Sequence, residues 1–135
     1  MIKGSCLCGK VTYSIEGAIG EIIHCHCSTC RKAHSAAFSS VAAVQADQFE
    51  FLSGKELVKS YESSPDKLRY FCSECGSQLY AHRAGLPHYI LRLGTLDDDP
   101  GVRPANHIWL SDKAVWFDPK TDAALPMYQE WADDR

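Results

Sequence analysis

Several features are missing from this chain of 135 residues. It has no run of about 18 apolar residues, so no transmembrane helix is expected. It has no excess of positive charge: 14 Lys and Arg stand against 17 Asp and Glu, a formal net charge of −3. That balance argues against nucleic acid and against an anionic membrane as partner, since neither attracts an acidic protein at long range. There is no internal repeat, no low-complexity tract and no linker-like segment. One domain spanning 1–135 is therefore expected, long enough to bury a real core. No apolar leader is present either. The chain opens "MIKGSCLCGK", with Cys6 and Cys8 already in place, so no signal peptide is expected and the cytoplasm is the expected compartment, where thiols stay reduced. The H-x-E and P-C-x-x-C motifs of the zinc deaminases are also absent, which counts against that chemistry.

What the chain does have is cysteine. Its seven cysteines fall into three groups: Cys6-x-Cys8, Cys25-x-Cys27-x-x-Cys30 and Cys72-x-x-Cys75. In a reducing compartment such a set points to metal rather than to disulfides. A structural zinc takes four ligands, whereas a catalytic zinc takes three and keeps one position open. The simplest partition joins the two pairs, Cys6, Cys8, Cys72 and Cys75, into a closed site and leaves Cys25, Cys27 and Cys30 as an open one. A second partition is an ordinary zinc ribbon from Cys27-x-x-Cys30 and Cys72-x-x-Cys75, with Cys6, Cys8 and Cys25 left over. Gly9 and Gly76 each follow a cysteine, where a metal-binding knuckle needs positive φ. No glycine follows Cys30. A zinc held by three thiolates is a weak Lewis acid and a poor activator of water, but it still deprotonates a bound thiol, so an open site of this kind suits a thiol substrate.

Short runs of alternating polar and apolar residues predict strands in "KVTYSIEG", "EIIHCHC", "SQLYAH", "HYILRLGTL" and "NHIWLS", and in "AAFSSVAAVQA", whose alanines leave helix open. "ELVKSYESS" and "KLRYFC" read as a strand pair around a turn at Pro65-Asp66. "STCRKAH" predicts one helical turn with Ser28 or Thr29 as its N-cap. The segments "DPGVRP" and "FDPKTDAALP" read as loop. The fold class expected is mainly β, folded around metal.

The stretches "GSCLCGKVTYSIEG", "CHCSTCRKAHSAAF" and "FCSECGSQLY" resemble, in order, the three motifs of the glutathione-dependent formaldehyde-activating enzyme (GFA) family, which also includes centromere protein V. "NHIW", "VWFD" and "LP" sit where that family has similar residues. The resemblance implies a β-tent zinc-binding fold of short antiparallel strands with zinc-ribbon-like knuckles. It implies two zinc ions per chain: a structural one at Cys6, Cys8, Cys72 and Cys75, and a catalytic one at Cys25, Cys27 and Cys30. It also implies a carbon–sulfur lyase type of activity on a thiol adduct, with glutathione and formaldehyde giving S-hydroxymethylglutathione. One departure from the family is His34-Ser35, where many members have a glycine as the second residue. The rival readings are a non-catalytic zinc module that binds a protein partner, and a thiol redox or metal-buffering protein. The oligomeric state is not legible.

Other residues carry sharper and blander readings. His26, on an extended segment between Cys25 and Cys27, points away from both sulfurs and reads as packing rather than as a ligand. His24 and His34 are candidates to complete the second site when substrate is absent. Arg31 and Lys32 could screen the anionic site or hold a substrate carboxylate; the simpler reading is a solvated turn. His82, His107 and Trp109 are candidate pocket residues, with Trp109 read first as core. Tyr128 and Trp131 read as pinning the C-terminal segment. Asp97, Asp98 and Asp99 read as a solvated turn rather than a cation site.

Overall fold

The computed structural model describes residues 1–132. The alternating segments become strands in two sheets. The smaller sheet holds β1 (Ile2–Ser5), β2 (Thr12–Ile15) and β5 (Phe49–Ser53), in the order β1-β2-β5. The larger sheet holds β3 (Ile22–Cys25), β4 (Ser39–Gln45), β6 (Val58–Ser64), β7 (Lys67–Cys72), β8 (Gln78–Arg83), β9 (His88–Arg92) and β10 (Pro104–Ile108). Its order is β10-β3-β4-β9-β8-β7-β6. The mainly-β expectation holds, with one departure from its antiparallel form: β10 lies parallel to β3. Two helices interrupt the strands, α1 (Ser28–His34) and the single turn α2 (Pro119–Asp122), the latter inside a segment read as loop. Among the described residues no helix is long and apolar enough to cross a membrane.

Register explains where the core sits. Directly paired residues share a face of a sheet. Tyr70 pairs with Tyr80, Tyr80 with Leu91, and Leu91 with Ala42, so one face of the large sheet carries an aromatic and aliphatic row. That row packs against the small sheet. Phe49 of β5 meets Tyr80 and Tyr89 at ring separations of 5.2 and 5.5 Å, and Tyr13 of β2 stacks on Phe49 at 4.9 Å. Gly4 in β1 lets the Tyr13 ring pass, because a β-carbon at that position would collide with it.

The neighbouring row points the other way. It holds Arg69 opposite Ala81, Arg92 opposite Val41, and Ser39 opposite Cys25. α1 packs against β4, so this second face is covered too. Its polar residues are consequently buried.

Two strands, β1 and β5, lie outside the segments read as strands; both are placed by their pairing with β2. The reading of Trp109 as core is overturned: it is 59% exposed and takes a left-handed backbone conformation, φ 59°. Tyr128 and Trp131 also lie on the surface rather than buried. The aspartate triplet is a turn tied to β1. Ser5 Oγ donates to Asp97 at 2.9 Å, the Lys3 N–H donates to Asp98 at 2.8 Å, and Asp99 pairs with Arg103 at 2.8 Å.

Candidate metal centres

The seven cysteines are all unbridged. They gather as a group of four and a group of three, with the sulfurs of each group within 4.8 Å of one another. The four are Cys6, Cys8, Cys72 and Cys75. Cys6 and Cys8 follow β1, Cys72 closes β7, and Cys75 lies in the turn to β8. The Cys6–Cys8 and Cys8–Cys72 sulfur separations are 3.5 and 3.9 Å. A tetrahedral zinc with sulfurs at ~2.3 Å requires them about 3.8 Å apart, so the donor set and its spacing fit that ion.

The knuckle geometry expected from the glycines is present. Gly9, at φ +78°, turns its N–H to the Cys6 carbonyl, and Gly76, at φ +79°, turns its N–H to that of Cys72. The Val11 N–H donates to the Cys6 sulfur at 3.3 Å. The hydroxyl of Ser77, 3.3 Å from the Cys75 sulfur, is the main reason that thiol falls to about 5.

The three are Cys25, Cys27 and Cys30. Cys25 ends β3, Cys27 is the N-cap of α1 and Cys30 lies in its first turn. The cap is not Ser28 or Thr29, as the helix-forming pattern suggested. It is the Cys27 sulfur, which accepts the Cys30 N–H at 3.3 Å. A side-chain acceptor is what an N-cap must supply, and sulfur supplies it here. Three sulfurs so placed fit a zinc ion with one position left over.

Among the described residues no histidine or carboxylate joins the group of three. His24 Nδ1 instead shares a hydrogen bond with the Ser40 hydroxyl at 3.0 Å. His34 lies near the two buried arginines, and its burial, with their charges, holds its pKa down at about 4. His26 is fully buried and shares a 2.8 Å hydrogen bond with His107, between Phe38 and Phe117, which is the packing role expected of it. His82 donates to the Leu86 carbonyl at the far end of β8, in a separate depression.

Sequence reasoning missed the arginines. Arg69 is only 5% exposed. Its guanidinium lies 3.8 Å from the Cys30 sulfur through Nη2 and 4.0 Å through Nη1, and its Nε donates to Ser63. Burial alone would raise the Cys30 thiol, but the neighbouring Ser39, Cys27 and Arg69 outweigh it and bring the thiol down to about 7. The Ser39 hydroxyl is buried and has no hydrogen-bond partner of normal geometry among the described residues. Burial, with the charge on Cys30, pushes Cys25 up to about 12. Cys30 therefore ionises well before Cys25. Arg69 also lines a cleft of about 590 Å³ between α1 and β6–β8, together with Ser28, Thr29, Lys32, Tyr61 and Ser63. Lys32 thus faces a cavity; Arg31 does not, its Nε donating to the Asp112 carbonyl.

The family model described as glutathione-dependent formaldehyde-activating enzyme matches residues 1–112. The chain belongs to that family. The match takes in both cysteine groups and "NHIW", and stops short of "VWFD" and "LP". A Halomonas elongata protein named for glutathione-dependent formaldehyde activation is 28% identical over 127 residues, covering 87% of this chain and 80% of its own. A Schizosaccharomyces pombe protein named only as a lyase is 27% identical, covering 86% and 83%. A crystal structure of a Rhodobacter sphaeroides protein has a TM-score of 0.62 at 24% identity, covering 78% of this chain and 98% of that one, which is a likeness of fold.

Proposed function

We propose that this GFA-family chain is a zinc-dependent enzyme of carbon–sulfur lyase type that acts on a glutathione-like thiol adduct. The reaction is S-hydroxymethylglutathione formation from glutathione and formaldehyde, or a close relative of it. Cys6, Cys8, Cys72 and Cys75 hold a structural zinc; Cys25, Cys27 and Cys30 hold a catalytic one. The observation that carries this reading is a group of three sulfurs with no fourth ligand among the described residues, next to a buried arginine and a cleft.

A zinc ion held there would supply a position at which a thiol loses its proton at neutral pH. The chain's own residues do the rest. Three thiolates exceed the charge of a divalent ion by one, and the Arg69 guanidinium against Cys30 offsets that excess in a buried setting. Lys32 and Arg69 line the cleft by which an anionic thiol would approach. In the forward direction the substrate sulfur forms one bond to the carbonyl carbon, and the carbonyl oxygen takes up the proton the thiol gives away; the lyase direction reverses both. A non-catalytic module closed by His24 or His34 is less well supported, because neither ring stands in the group.

Cobalt substitution tests the reading. Its charge-transfer and d–d bands report sulfur ligation, so glutathione should convert an S3 spectrum to an S4 one with release of a proton. The change should persist in His82→Ala and vanish in Cys27→Ala. An unchanged spectrum with millimolar glutathione and with cysteine would favour the protein-binding alternative.

A further inference from the structure

Two buried arginines flank the three-cysteine group, and only Arg69 touches a sulfur. Arg92, the last residue of β9, is 4% exposed, and its Nε and Nη2 have no hydrogen-bond partner among the described residues. It belongs to neither of the ion pairs found there, Lys10–Glu74 and Arg103–Asp99. Nε–H and one Nη2–H lie on the same edge of a guanidinium, the fork that grips a carboxylate through two parallel hydrogen bonds. Two buried guanidinium N–H groups without acceptors are unfavourable unless a ligand supplies them.

The surroundings point the same way. β4 begins at Ser39, β8 begins at Gln78 and β9 stops at Arg92. The strands part at this end of the sheet and leave a cavity of about 370 Å³ walled by His34, Ser39, Gln78, Arg92 and Thr95. Three more buried polar atoms without partners belong to these walls, His34 Nε2, Ser39 Oγ and Gln78 Oε1. The cavity therefore offers a two-pronged donor, an amide acceptor and an imidazole that burial keeps neutral. Arg92 is close enough to Cys25, Cys27 and Cys30 for their charges to act on it.

We propose that this cavity is the carboxylate subsite of the thiol substrate: Arg92 grips the carboxylate through Nε and Nη2, and Gln78 Oε1 accepts an N–H adjacent to it. The accepted thiols are then amino-acid or peptide thiols rather than simple alkyl thiols. The inference rests on the function proposed above and adds to it the group by which the substrate is chosen.

The test compares glutathione, its diethyl ester and S-methylglutathione on the zinc- and cobalt-loaded protein, by calorimetry and by the cobalt bands. The diester keeps the thiol and loses both carboxylates; S-methylglutathione keeps the carboxylates and cannot present a thiolate. The diester should bind about 10- to 100-fold more weakly than glutathione. S-methylglutathione should bind weakly to the native protein and not to Arg92→Gln. Equal affinity for glutathione and its diester overturns the subsite and leaves sulfur coordination standing. If glutathione leaves the cobalt bands unchanged while S-methylglutathione still binds through Arg92, coordination falls and the subsite stands. If no compound binds, both fall. The ester comparison uses the unaltered chain, so it decides the matter even if Arg92→Gln does not fold.

Discussion

Arg69 shares one side of β7 with Lys67 and Phe71, a pattern that reads as a solvated face; α1 makes it a buried one, with the guanidinium against the Cys30 sulfur. Its effect can be measured through pH. In the folded protein Cys30 gives up its proton near pH 7, below the ordinary thiol value of 9.0. Zinc binding needs the thiolate. In Arg69→Gln the thiol moves back up, so below pH 9 a proton must be displaced that the native protein has partly lost already. Zinc affinity at the second site should fall about tenfold for each pH unit that the pKa rises, and the loss should shrink away above pH 9. Chelator competition at pH 6.5 and 9.5 measures this; an equal loss at both would mean that Arg69 acts through packing alone.

Two short-range devices shape α1, and both ends differ from the helix its sequence suggests. At the front, Cys27 is cap and candidate ligand at once. Cys27→Ser keeps a cap acceptor and removes the sulfur, whereas Cys27→Ala removes both. Both variants should lose the second metal and stay folded, with the alanine form about 1 kcal/mol less stable by urea denaturation. No difference between them would mean the cap contributes nothing. At the back, Ser35 adopts a left-handed conformation, φ 50° and ψ 44°, and its N–H returns to the Arg31 carbonyl. That geometry is why glycine is common at such a position. Ser35→Gly should stabilise the protein by about 1 kcal/mol and raise its melting temperature; an unchanged or lower value would remove the strain argument. Most strands were legible from their apolar pattern, from the short β2 and β3 to the longer β4, β6, β7 and β8. The exceptions are β1 and β5, whose four and five residues are defined by pairing with β2.

The four-cysteine group ties together parts of the chain that local sequence cannot. Cys6 and Cys8 follow a strand of the small sheet, while Cys72 and Cys75 sit between two strands of the large one. A metal there would clamp the two sheets whose inner faces make the aromatic core. Cys6→Ala or Cys72→Ala should therefore give insoluble or molten protein, since structural zinc in a small domain supplies on the order of 10 kcal/mol. Cys27→Ala should stay folded. The reverse order of damage, read by near-ultraviolet dichroism, would invert the two roles. Elemental analysis of protein purified without chelator should approach two zinc ions per chain. A clean value of one, with three titrating thiols, would favour the redox reading.

The sequence by itself determined the spacing of the cysteines, the positive-φ glycines after Cys8 and Cys75, most of the strands and the family. These are local properties, carried by neighbours a few residues apart. It left open which cysteine pairs come together, because Cys72-x-x-Cys75 can close on either partner until β7 and β1 are placed in space. It also left Arg69 and Arg92 unmarked. An arginine on the polar side of a strand looks the same whether water or a helix lies over it, and only tertiary packing decides which. The same packing turns two ordinary residues into buried cations beside three sulfurs, where their charge carries the most weight.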